Sequence, residues 1–285
     1  VYGNQMGKNV TALAQWFGGN RILASHVGDA LAGCSWVGVV FAGGMSELPH
    51  ITARSILVND LHRHIINLAR VVADDASRPV LIRRLRTKPF HPDVLKEAQL
   101  ACRASEPGDL PNIDLAEAYF VACWIGRSGK AGTDDEFNGR PAIRWNANGG
   151  DSNTRYRAAL RALKSFRETL QRCTFETMDA FAFMERCEDT NDHALYVDPP
   201  FPGVGLKYKH NPGQEENEWH AQLAKALTRF KKTRVVCRFY DHPLVRKLYP
   251  EKEWTWKRLK GRKQTNAAAD EVLVVRNPAK TWLFE

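Results

Sequence analysis

Apolar residues along this chain gather in short runs that stop abruptly at glycine, proline or an acid. The run at residues 36–41, Trp-Val-Gly-Val-Val-Phe, passes through Ala42 into Gly43-Gly44, the pattern of a buried parallel strand entering a tight turn. Ser55-Ile-Leu-Val-Asn-Asp60 is a second such run, ending in an acid. Ala194-Leu-Tyr-Val197 is a third, and it leads straight into Asp198-Pro199-Pro200-Phe201-Pro202. Residues 92–101 and 115–124 carry apolar positions at helical spacing in good helix formers, which predicts two helices. Residues 126–150 are rich in Gly, Asn, Asp and Arg and read as loops with room for a hairpin. No internal repeat or low-complexity tract interrupts the pattern.

Size and composition narrow the class. The 285 residues correspond to about two domains at roughly 150 residues each, enough to bury about three-quarters of the unfolded surface without staples. A 44% hydrophobic and 26% charged content is that of a soluble globular protein. No apolar run approaches the roughly 18 residues of a membrane span, and the opening Val-Tyr-Gly-Asn-Gln lacks a secretory core. With Val1 rather than Met in first place, a processed or missing start is expected. Cys34, Cys102, Cys123, Cys173, Cys187 and Cys237 are scattered with no Cys-x-x-Cys pair, which predicts reduced thiols in a cytoplasmic protein. His62 and His64 are two residues apart, a spacing that does not place both rings on one helical face, and no metal site is expected.

Charge changes the picture. Lys and Arg number 41 against 32 Asp and Glu, a net +9. Residues 225–263 hold fourteen cations against three acids, +11, so the remainder carries −2. A second basic stretch runs from Arg155 through Arg157, Arg161, Lys164 and Arg167 to Arg172, opposed only by Glu168. Cations interleaved with Phe239, Tyr240, Trp254 and Trp256 suit a polyanion, whose counterions are released on binding. The competing reading is a solvated helix or loop surface.

Two further signals carry chemistry. Glycines at a strand-to-helix turn admit positive φ and close approach of a ligand to the backbone, and an acid about twenty residues on is placed to bind ribose hydroxyls. Gly43-Gly44 and Asp60 have that order, though Asp60 would equally cap the next helix. After the third strand, two prolines cannot continue a ladder, so they stiffen the turn and hold Asp198 at the carboxyl edge of the sheet, where open α/β folds bind ligands. Phe201 is expected to follow as an exposed aromatic on a rigid loop. An ordinary strand-to-loop turn explains one aspartate or one proline, and less readily the acid, both prolines and the aromatic together.

Asp198-Pro-Pro-Phe201 matches the Asp-Pro-Pro-Tyr/Phe motif of amino-directed DNA methyltransferases, and other segments resemble the Dam-type adenine-N6 family in the same order. Gln15-Trp-Phe-Gly-Gly-Asn-Arg21 is similar to its Trp-x-Gly-Gly-Lys cofactor segment, and Phe41-Ala-Gly-Gly-Met-Ser46 to its Phe-x-Gly-x-Gly loop. Asn59-Asp60 resembles its ribose-binding acid, and Asp179 sits where the family places the acid that contacts the cofactor adenine. Trp219-His-Ala-Gln-Leu-Ala224 and Ala269-Asp-Glu-Val-Leu273 look like its later helix and closing strand. The likeness spans about residues 15–277 with a divergent middle, and its one sharp motif is Asp-Pro-Pro-Phe. Asn20 stands where the family usually has lysine, and Met45 where it has the last glycine of the loop.

The resemblance implies a Rossmann-like α/β methyltransferase core, residues 1–72 and 162–285, with a mainly helical target-recognition domain inserted at 73–161. It implies S-adenosylmethionine as methyl donor, bound by Trp16, Gly18, Asn20, Phe41, Ala42, Gly43, Gly44, Asp60, Asp179 and Asp198. It implies double-stranded DNA as partner, and a bacterial or phage-encoded, cytoplasmic enzyme. Asp198, Pro199, Pro200 and Phe201 would be catalytic: Asp198 and the Pro199 carbonyl accept the hydrogens of an exocyclic amine, and Phe201 stacks on the flipped-out base. Arg140, Arg144, Asn146 and Asn148 would contact bases or phosphates, with Arg155, Lys257, Lys260 and Arg262 on the backbone, or would be polar loop residues in solvent. Adenine-N6 methylation is the first expectation. Cytosine-N4 methylation and a catalytically weak DNA-binding protein of the same fold are the alternatives.

Overall fold

A computed structural model describes residues 12–19, 23–127, 129–143, 151–262 and 268–279. Seven strands form one sheet: β1 (Trp36–Val39), β2 (Ser55–Asn59), β3 (Cys173–Glu176), β4 (His193–Val197), β5 (Arg234–Tyr240), β6 (Thr255–Arg262) and β7 (Ala268–Arg276). Their order is β3-β2-β1-β4-β5-β7-β6. The first five are parallel, and β7 runs antiparallel to both β5 and β6.

Alternation along each strand sends side chains to two cores. In β4, Ala194 and Tyr196 join one cluster while Leu195 and Val197 join the other. The first face is covered by α1 (Ala24–Leu31), α2 (Arg63–Ala73), α3 (Ser77–Thr87), α4 (Pro92–Ala104), α5 (Ile113–Ile125) and α6 (Ser152–Leu170). The second is covered by α7 (Ala180–Arg186), α8 (Glu216–Leu227) and α9 (Pro243–Leu248). Helices on both faces of a mostly parallel sheet are the layering of a Rossmann-like α/β fold.

Sequence order places α2 through α6 between β2 and β3. α4 and α5 are the two helices that periodicity predicts at 92–101 and 115–124. α5 is apolar all round, with ten of its residues from Leu115 to Ile125 buried, because it lies among α2, α3, α4 and α6. α6 runs unbroken from Ser152 to Leu170, capped by Asp151, whose carboxylate accepts from Asn153 N and Thr154 N at 3.1 and 2.9 Å.

The chain reverses its winding between β1 and β4, and such a switch point opens a crevice at the carboxyl ends of the two strands. Asn59 pins the loops that rim it: its amide donates to Val40 O and Met178 O at 3.1 and 3.0 Å, and its Oδ1 accepts from Met178 N at 3.0 Å. One buried side chain thereby holds the exits of β1, β2 and β3 together. No helix among the described residues is long and apolar enough to cross a membrane.

Candidate active site

The crevice is a cavity of about 400 Å³ at the carboxyl ends of β1, β2 and β4. Its floor is the turn after β1. Phe41, Ala42, Gly43 and Gly44 all line it, with Asp60 from the end of β2. The Asp60 carboxylate accepts from Gly43 N at 2.8 Å and from His62 N at 2.9 Å, which locks the glycine turn to the acid. A carboxylate has about four acceptor positions, so two remain for hydroxyls of a ligand.

Trp16 closes one wall. A Cβ added at Gly43, Gly44 or Gly132 would come within 2.9, 2.9 and 2.5 Å of the Trp16 side chain, so the indole rests on Gly43 and Gly132 and its Cβ on Gly44. Its edge meets the His62 ring at 5.3 Å, and His62 Nε2 faces the buried Glu136 carboxylate at 2.8 and 2.9 Å. Because His62 Nδ1 accepts from Ile65 N, the proton belongs on Nε2, which donates to Glu136. Glu136 Oε2 also accepts from Gly132 N at 2.9 Å, which holds Gly132 in the cavity wall. Gly18, at φ +69°, lies under the Tyr208 hydroxyl, which donates to Phe17 O at 2.9 Å.

Met45 stands where the resemblance expects glycine, and the structure shows how the chain accommodates it. Met45 adopts the left-handed backbone, φ 58°, that glycine takes without penalty, at a cost of about 1 kcal/mol. Its side chain is buried in the first core instead of projecting into the cavity.

Asp179 lines the opposite rim as the cap of α7, where its Oδ1 accepts from Phe181 N and Ala182 N at 2.9 and 3.2 Å. Trp219 on α8 packs edge-on to Phe41 at 6.1 Å and to Phe181 at 5.8 Å, giving this end an aromatic lining. Asn20 lies outside the described residues.

Asp198 and Pro200 enter the cavity from the end of β4. The Asp198 side chain is 20% exposed, and Arg238 on the neighbouring β5 meets it with Nη1 at 3.0 and 3.3 Å from its two oxygens. Burial pushes the Asp198 carboxyl above the usual carboxylate range, and the Arg238 guanidinium opposes that rise. Glu47, buried at the cavity wall, is likewise raised, by burial first and then by the charge of Asp198. Motif matching misses both Glu47, which lines the cavity, and Arg238, which bonds Asp198 from outside the lining. Arg238 carried a signal all the same, since a lone charge within Val-Val-Cys-Arg-Phe is buried by its strand and must find a partner.

Phe201 corrects the expectation of an exposed aromatic. It is 8% exposed, its ring lies 4.8 Å from Tyr240 and 6.0 Å from Phe239, and the Arg238 guanidinium sits over it at 5.1 Å. The cavity lining includes Asp198 and Pro200 but neither Pro199 nor Phe201. The turn folds back, with Gly205 N donating to Phe201 O at 2.6 Å, and the ring finds the second core, where burying it is favourable. Phe201→Ala is therefore expected to lower stability by about 3 kcal/mol. Urea denaturation measures it, and a loss under about 1 kcal/mol would place the ring in solvent.

The basic stretches also divide. Residues 255–262, the later part of the basic stretch 225–263, are strand β6 at the sheet edge, where cations guard against edge-to-edge pairing. Lys257, Lys260 and Arg262 belong to it; the side chains of Lys260 and Arg262 lie outside the described residues, as do Arg144, Asn146, Asn148 and Lys263. Arg258 pairs with Glu251 at 3.1 Å, Arg246 with Asp241 at 2.7 Å, and Arg234 donates to Ala30 O and Ala32 O at 3.0 and 2.7 Å. Arg229 donates to Met184 O. In the second stretch Arg157, Arg167 and Arg172 bond Lys88 O, Asp75 and Ala53 O, while Arg155 is exposed on the first turn of α6 and reaches Ser152 Oγ at 3.4 Å. Arg140 is exposed, and its carbonyl accepts from Arg127 N.

Among the described residues, no three His, Cys, Asp or Glu are arranged to hold a metal ion. Compared with family models and with curated proteins, the chain finds no match in either.

Proposed function

We propose that the protein is an S-adenosylmethionine-dependent DNA adenine-N6 methyltransferase, bacterial or phage-encoded, with a mainly helical target-recognition insertion at 73–161. The observation that carries this reading is the convergence of the Gly43-Gly44 turn, Asp60, Asp179 and Asp198 on one cavity at the switch point of the sheet. The cavity suits a nucleoside-bearing cofactor. It has a glycine turn along its floor, an acid with spare acceptor positions, and an aromatic end formed by Phe41 and Trp219. When bound, S-adenosylmethionine supplies an electrophilic methyl group.

The chain's own part is to make a poor nucleophile react. The lone pair of an exocyclic amine is delocalised into its ring. A carboxylate acceptor at Asp198 draws the amine hydrogens and localises that lone pair, and the gain comes from preorganised groups rather than a covalent intermediate. The base must leave the duplex to arrive there. Since Phe201 is in the core, Tyr208 and Phe17, which meet edge-to-face at 5.2 Å beside Gly18, are the aromatic surface available to it.

The test is direct: incubate the protein with duplex DNA and labelled S-adenosylmethionine, digest to nucleosides and identify the product by mass spectrometry. N6-methyladenine supports the reading, N4-methylcytosine replaces it with the alternative amine, and no methylated nucleoside alongside DNA binding identifies a binding protein.

DNA is proposed to lie along the β6 edge. Replacing Lys257, Arg258, Lys260, Arg262 and Lys263 by glutamine is expected to lower the salt slope of DNA affinity by roughly one unit per lost phosphate contact. Target and non-target duplexes should weaken alike while cofactor binding survives. An unchanged slope in a salt titration would move the DNA to another face, the one carrying Arg155, Arg161 and Lys164.

A further inference from the structure

Arg238 has more partners than its own charge requires. The side chain is 4% exposed, and Nε and Nη2 both approach Glu271 Oε2 on β7 at 2.7 Å. That pair alone neutralises the buried cation. The remaining nitrogen, Nη1, turns the other way and reaches both Asp198 oxygens and the carbonyl of Gly18, at 3.1 Å. A guanidinium is a rigid planar fork, so anchoring one edge on Glu271 fixes where the other edge points. The plane lies over the Phe201 ring, which supports it from below.

We propose that Arg238 is a positioning residue for Asp198: anchored by Glu271, it fixes the carboxylate as an acceptor at the cavity edge and ties Gly18 of the Trp16 segment to the same point. The proposal deepens the methyltransferase reading and rests on it for its catalytic meaning. Left in that setting without a cation, Asp198 would take up a proton, and a protonated oxygen cannot accept an amine hydrogen. The groups that face it leave Arg238 as the counter-charge: Glu47 beyond the β1 turn, Tyr196 on β4, Tyr208 in the following loop, Cys237 and Tyr240 on β5, and Glu271 on β7.

The experiment follows the Asp198 carboxyl by carbon-13 NMR in protein labelled at the aspartate side-chain carboxyl, its signal assigned by its loss in Asp198→Asn. Arg238→Met is expected to move its titration upward by about one pH unit or more, and Arg238→Lys by less. Glu271→Gln keeps the cation and removes its competitor, so there the titration moves downward, and this variant decides the matter if the Arg238 variants do not fold. In the methylation assay kcat falls and its acid limb moves with the NMR titration, KM for S-adenosylmethionine stays within about twofold, and Arg238→Lys restores part of the rate. An Asp198 titration unmoved in folded Arg238→Met, or in Glu271→Gln, overturns the proposal. A parent protein that transfers no methyl group overturns the methyltransferase reading instead, and the NMR result still judges the link between Arg238 and Asp198.

Discussion

Asp198→Ala is expected to lower methyl transfer by about a thousandfold while the protein stays folded and binds DNA nearly as well as its parent. The size follows from the task assigned to the carboxylate, since no other described acceptor is held at that point by a buried cation. The retained fold follows from Arg238. Breaking a buried ion pair is usually costly because it strands a charge, by about 3–5 kcal/mol. Here Glu271 stays at 2.7 Å from the guanidinium after Asp198 is gone, so the cation keeps a partner and the loss should be nearer 1 kcal/mol. Product nucleosides measured by mass spectrometry, with a thermal unfolding curve on the same sample, separate chemistry from folding. Near-normal turnover by a folded Asp198→Ala protein would remove the acid from the mechanism.

The parts of the fold that sequence reveals are those with local punctuation. β1, β2 and β4 are short apolar runs closed by glycine, Asn-Asp and Asp-Pro-Pro, and each forms within a residue or two of where those signals stand. β3 is only Cys-Thr-Phe-Glu, which has no periodicity to speak of, and it exists through its pairing with β2. β6 is hidden by its cations, which an edge strand tolerates, as at the exposed Arg258. The cavity residues near the glycine turn, the Asn-Asp pair and the Asp-Pro-Pro turn are legible for the same reason. Arg238, Glu47 and Glu271 lie on three separate segments and meet only when the sheet forms, so no local spacing connects them. Phe201 misleads because a motif says which residues recur and is silent on where a ring finds its best burial.

Acid should destabilise this protein from about pH 6.5 downward, before its surface carboxylates begin to be protonated. His64 on α2 is buried with its ring stacked on Tyr119 at 5.4 Å, and neither ring nitrogen has a hydrogen-bond partner among the described residues. Burial, then the charge of His62, pushes it down to about 4. His220 on α8 is buried beside Trp219 and Phe239, and burial, then His242, pushes it down to about 4 as well. In the unfolded chain both titrate near 6.5, so between those values the unfolded state binds more protons and stability falls as pH falls. The contribution is complete above pH 6.5 and lost by pH 4, up to about 3 kcal/mol for each residue and about 6 for both. Against a total of about 5–15 kcal/mol, that is a large share of the stability. Glu47 acts with the opposite sign, since a raised carboxyl gains stability as pH falls, so the measurement belongs in a Glu47→Gln background. Asp189, held at about 2 by backbone N–H bonds from Lys231, Lys232 and Thr233 in spite of burial, contributes only at lower pH. Urea midpoints at pH 7.5, 6 and 5 should therefore fall steeply in that background and flatten when His64→Phe and His220→Leu are added. Equal slopes with and without the histidines would mean that water reaches both rings and that their burial does not set the acid limit.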